Sequence, residues 1–85
     1  MKLTKIDKLE SMGDGIDLCR LEFDDGKDTA YILYNHENLL PSLGKDVVAS
    51  FRLDLYKGTT QRFVNTLAMV GVVHTLEKED HIKLY

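Results

Sequence analysis

The run "DVVASFRLDLYKGTTQRF", Asp46 to Phe63, gathers the side chains of this chain best suited to a flat, negatively charged ligand. Arg52, Tyr56, Lys57 and Arg62 lie close together in it, and Tyr31 and Tyr34 stand upstream in the apolar segment "TAYILY". Cations neutralise phosphates and release their counterions, while tyrosine rings stack on bases, a contact worth about 1–3 kcal/mol per base. These six residues form the candidate site for single-stranded nucleic acid. Asp54 fits less well among them, because a carboxylate repels a phosphate unless it serves to orient Arg52. The same residue types also describe any solvated strand face, on which Arg52 and Asp54 make cross-strand pairs worth about 0.2–1 kcal/mol. Tyr31 and Tyr34 would then be packed with their hydroxyls at the surface.

Other reactive groups form no specific pattern. His36, His74 and His81 lack the spacing of a zinc site, and Cys19, the only cysteine, permits no internal disulfide. Its place in the alternating "IDLCRLEF" marks it as a small core residue rather than a reactive thiol. "SMGDGID" and "DDGKD" set carboxylates beside glycines without the spacing of a calcium loop, so they read as turns. Ser11, Ser42 and Ser50 lack the strand-elbow-helix setting of an activated nucleophile. No catalytic residue, metal or cofactor is assigned, and a non-catalytic binding module is expected.

The elements that must position these residues are short. With 85 residues, 44% hydrophobic and 29% charged, the chain is expected to form one domain, 1–85, around a single core. Its apolar runs are far shorter than the roughly 20 residues of a membrane helix. "MKLTKIDKLE" has no secretory apolar core, so a cytoplasmic location without membrane attachment is expected. "LTKIDKLE" mixes a three-residue with a two-residue period, as a bulged strand does. "IDLCRLEF" changes its apolar parity midway, which suggests a second bulge or a sharp coil as at a barrel corner, and "DDGKD" is a strong hairpin signal. "TAYILY" is the third strand. "NHENLLPSLGKD" predicts a short helix near residues 35–43, capped by Asn35 and ended by Pro41 or Gly44.

From Asp46 the alternation is strict. Val47, Ala49, Phe51, Leu53 and Leu55 predict a buried face, and Val48, Ser50, Arg52, Asp54 and Tyr56 a solvated one. After the turn "YKGTT", the many β-branched residues favour a strand over a helix across 60–71, bending near Gly71. "VVHTLE" and "HIKLY" are expected to pair as a last hairpin, with His74 and His81 on its two arms. The fold class is thus mainly β, a small five- to six-stranded antiparallel barrel with one short helix.

The order of "IDLCRLEF", "TAYILY", helix-like "NHENLLPSL" and "GKDVVASFRLDLY" is similar to that of the OB-fold, in which a helix between strands three and four plugs a Greek-key barrel. SH3-like barrels, the alternative, share much of this order without the helix. The OB resemblance implies a ligand across strands two and three, framed here by "SMGDG" and "YKGTT". It also implies single-stranded nucleic-acid binding or service within a nucleic-acid machine.

Charge distribution opens a second reading. The net charge is −3, and acids crowd the first third at Asp7, Glu10, Asp14, Asp17, Glu22, Asp24, Asp25 and Asp28. They return at Glu77, Glu79 and Asp80, whereas Lys45, Arg52, Lys57 and Arg62 outnumber Asp46 and Asp54 between them. An adaptor or inhibitor, for example a small phage-type protein, would use such acidic surfaces on a basic protein partner. A homodimer through the edge of the last strand is a further expectation.

Overall fold

The computed structural model describes residues 1–69 and 81–83. It is mainly β, with strands β1 (Leu3–Gly13), β2 (Ile16–Phe23), β3 (Asp28–Tyr34), β4 (Val47–Tyr56), β5 (Thr59–Met69) and β6 (His81–Lys83). A four-residue helix, α1 (His36–Leu39), and a 3-10 turn over Leu40–Ser42 fill the predicted helical position between β3 and β4. The expected bend at Gly71 and the first arm of the last hairpin lie outside the described residues.

The turns follow from residues that tolerate positive φ. Gly13 pairs with Ile16 across Asp14 (φ 54°) and Gly15 (φ 73°), and Tyr56 pairs with Thr59 across Lys57 (φ 52°) and Gly58 (φ 78°). Two central residues with positive φ match the right-handed twist of the flanking strands. The turn expected over "SMGDG" is therefore shorter than the sequence suggested, because Ser11 and Met12 remain in β1. Between β2 and β3 the predicted "DDGKD" turn forms, with Asp24, Asp25 and Gly26 all at positive φ.

Bulges fall in β1, where pairing with β2 is irregular between Leu3 and Lys5, Lys8 and Glu10, and Ser11 and Gly13. They let Leu3 and Ile6, which differ in parity, both pack on the core. The second bulge, expected within β2, is not there: β2 pairs with β3 without a break from Asp17–Tyr34 to Phe23–Asp28. Its change of parity has another cause. Leu18 and Cys19 are both buried, so this strand hides apolar groups on each face.

The strand order is β1-β2-β3-β5-β4, with β6 also on β5. One contact departs from the expected antiparallel sheet, since β3 and β5 are parallel and meet at Tyr31 and Phe63. A parallel pair needs a long crossover. The segment holding α1 and β4 supplies it. The sheet curls until its first and last strands touch at a bridge between Lys2 and Asp46. There Leu3 N–H donates to the Lys45 carbonyl (3.0 Å), and Gly44 N–H to the Leu3 carbonyl (2.7 Å). Further along, no pairing joins β1 to β4 among the described residues, so the sheet is not closed.

Leu3, Cys19, Leu21, Phe23, Ala30, Ile32, Leu39, Val47, Val64 and Leu67 form the core. Leu39 reaches it because α1 is anchored twice. Asn35 accepts the Asn38 N–H at 3.0 Å as the predicted cap, and the buried Asp17 carboxylate accepts the His36 N–H at 2.9 Å.

The expected buried face of β4 ends early. Val47 is buried and Ala49 and Phe51 pack on the core, but Leu53 and Leu55 are 71% and 69% exposed. The reason is Arg62, which pairs with Leu53 in the ladder and lays its guanidinium over the Phe51 ring, 4.0 Å from the centroid. That cation closes the core where the alternation would have extended it. Consequently Leu67→Ala should lower the unfolding free energy by about 2–5 kcal/mol, and Leu55→Ala by less than about 0.5 kcal/mol. Urea denaturation of the two variants measures the contrast.

Candidate nucleic-acid interface

In β4 and β5, cross-strand partners share a face, so the pairs Arg52–Phe63 and Tyr56–Thr59 place Arg52, Tyr56 and Phe63 together on the outer side of the sheet. The parallel contact of β3 with β5 brings in Tyr31. Its ring lies 4.8 Å from that of Tyr56 and 5.6 Å from that of Phe63, both tilted. Such spacings are those of interacting aromatic pairs. Three rings from three strands thus form one contiguous cluster.

Cations border it. The Arg52 guanidinium stands 5.5 Å from the Phe63 centroid, and the Lys57 ammonium 5.4 Å from that of Tyr56, on the two-residue turn. Arg52 is only lightly held: its Nη1 lies 3.4 Å from the Val64 carbonyl and the Asn65 side chain, and its Nε 3.9 Å from Asp54. Lys57 pairs with no carboxylate among the described residues. Arg20, the ladder partner of Tyr31, adds a third cation, which donates to Glu22 at 2.8 Å.

Four of the six sequence candidates, Tyr31, Arg52, Tyr56 and Lys57, therefore converge. The other two do not join them. Tyr34 packs against the core. Arg62 lies on the opposite face, forked onto Asp28 at 2.9 and 3.3 Å, with its Nε buried and unbonded. Phe63 and Arg20 are the residues that sequence reasoning missed. Phe63 is only 5% exposed and works from beneath, as the floor on which Tyr31 and Arg52 rest. Its face could have been read by counting back through the Lys57-Gly58 turn, once 60–69 is taken as strand.

The remaining candidates stay apart from this surface. A concavity of about 480 Å³ is lined by Lys2, Thr4, Asp24, Asp25, Lys27 and Asp46 at the seam between β1 and β4. It mixes both charges, and Asp24 already accepts the Lys2 N–H at 2.9 Å. Among the described residues no three of His, Cys, Asp and Glu converge as metal ligands. His74 lies outside the described residues. No family model, no curated protein and no solved structure matches this chain.

Cys19 is buried in the core, and its thiol pKa is raised, first by burial and then by the nearby Asp17 carboxylate, with Lys8 opposing. The folded state therefore keeps this proton where the unfolded chain loses it, so stability falls as pH rises above the ordinary thiol range, about 8.5. In urea titrations at neutral and alkaline pH, Cys19→Ala should lose less stability over that interval than the parent. An equal loss in both would remove Cys19 as the cause.

Proposed function

We propose that this chain is a non-catalytic module that binds single-stranded nucleic acid on the outer face of β3, β5 and β4. The observation that carries this reading is the Tyr31–Tyr56 ring pair resting on the buried Phe63, with Arg52 and Lys57 at its borders. Stacking platforms beside cations are what a flexible, unpaired strand requires, and stacking tolerates any base because each has a π-face. Tyr31 and Tyr56 offer the stacking faces. Arg52 and Lys57 meet phosphates, and Phe63 fixes the tilt of Tyr31.

The framework for this site is a partly open barrel of the OB type. Its support is the strand order β1-β2-β3-β5-β4, the contact of β1 with β4 at Lys2 and Asp46, and the helical segment between β3 and β4. The helical segment favours this over an SH3-like barrel. In OB-folds ligands lie across strands two and three. Here the rings are displaced toward β5 and the turn after β4, with Arg20 on β2 extending the path.

Fluorescence anisotropy of a labelled single-stranded oligonucleotide of about 12 nucleotides tests the proposal. Tyr31→Ala or Tyr56→Ala should weaken binding by about 5- to 150-fold, the equivalent of one stacked base. Lys57→Ala should flatten the dependence of log affinity on log salt by about 0.7, one phosphate contact on a single strand. Tyr34→Ala, which alters the core side, should leave affinity unchanged in the folded fraction. Absence of binding even at low salt would end this reading and turn attention to a basic protein partner for the acidic turns.

A further inference from the structure

Beyond Val47, the edge of β4 that faces away from β5 pairs with no described strand. At its start, Val47 N–H donates to the Met1 carbonyl (2.7 Å), and the Met1 amine to the Val47 carbonyl (3.3 Å). Near its end, Leu55 N–H turns to its own neighbour, donating to Asp54 Oδ1 at 2.8 Å. Alternate residues of a strand direct both backbone groups to one side. The irregularity between β4 and β5 places its extra residue, Asn65, in β5, so this parity runs through β4 unbroken. Ala49, Phe51, Leu53 and Leu55 therefore present their amides and carbonyls outward, and no described strand pairs with them.

Proteins usually guard such an edge with charge, proline or a covering element. Here it bears Leu53 and Leu55, the two most exposed large apolar side chains among the described residues. We infer that this edge pairs antiparallel with the same edge of a second copy, about a two-fold axis at Leu53. In that register Leu53 meets Leu53, Phe51 meets Leu55 of the second copy, and Arg52 meets Asp54 of the second copy on both sides of the axis. The charge pattern selects this centre. An axis at Arg52 or at Asp54 sets like charges opposite each other, and one at Phe51 or Leu55 leaves both without a partner. Leu53 pairs through its outward backbone groups, so Arg52 and Asp54 fall at the close, non-hydrogen-bonded positions where cross-strand charges interact best.

The interface is isologous and closes on itself as a dimer. A strand-edge contact is smaller than a standard protein interface, so association depends on concentration. The axis stands perpendicular to the sheet and leaves both outer faces on the same side. Two aromatic surfaces then lie side by side across a continuous sheet. This arrangement stands independently of what those surfaces bind.

Sedimentation equilibrium of the full chain from about 1 μM to about 1 mM tests it, in the range where a contact of this size dissociates. The parent should show reversible dimerisation. Leu53→Asp, on an exposed side chain away from the aromatic face, should remain monomeric at every concentration while keeping its circular dichroism spectrum. Arg52→Asp alone and Asp54→Arg alone should each be monomeric, because each sets like charges opposite one another. An equimolar mixture of those two variants should dimerise again, since reversed charge in one copy meets reversed charge in the other. A monomeric parent throughout overturns the inference. So does a dimer that survives Leu53→Asp, or charge-reversed variants that fail to recover on mixing.

Discussion

Two pieces of sheet make up most of the described fold, and beside the Lys2–Asp46 seam the contact of β3 with β5 docks them. The meander β1-β2-β3 and the hairpin β4-β5 meet where Tyr31 of β3 lies beside Phe63 of β5. On one side of that line the Asp28–Arg62 fork spans the same two strands, and Arg62 covers Phe51 from there. An exposed ion pair alone contributes little, usually about 0–1 kcal/mol. Its stacking on a core aromatic makes it a lid as well as a link. Across the line, the outer aromatic surface exists only because the two pieces are docked, since neither contains all three rings. Core closure and the candidate site are thus two faces of one junction.

The sequence was most readable where local chemistry decides the outcome. Asp-Gly and Lys-Gly turns, the Asn35 cap and the strands themselves follow from positive-φ tolerance, a side-chain acceptor and alternation. Burial at Leu53 and Leu55 could not be read this way, because it depends on Arg62 of β5 reaching over Phe51 and ending the core there. The two faces of Arg52 and Arg62 illustrate the same limit. They fall on opposite faces once the register Leu53–Arg62 is known, yet in the sequence they look like one basic patch. The bulges of β1 were legible as mixed periodicity, whereas the parity change in β2 reflected burial on both faces rather than a kink.

Electrostatics explain how an acidic chain can leave cations beside the outer rings. Its acids are drawn off to other places: Asp28 to Arg62, Asp17 to the start of α1, Asp24 to the Lys2 amide. Glu22 holds Arg20, and Asp54 spends one oxygen on a backbone amide, which leaves Arg52 at a loose 3.9 Å. Lys57, raised on the turn, projects its charge over Tyr56. Local arrangement rather than the total of −3 sets the field at those rings.

The seam between Lys2 and Asp46 has a kinetic consequence. Met1 and Val47 are 46 residues apart, whereas the hairpins close through turns of a few residues. Loop-closure entropy makes such a distant contact slow to form, and the hairpins can assemble before it. Held by a handful of backbone hydrogen bonds, the seam can also open locally without global unfolding. In the amide hydrogens of the first strand this fold carries its own clock, with Leu3 exchanging through a local opening and the centre of β2 only when the whole domain comes apart.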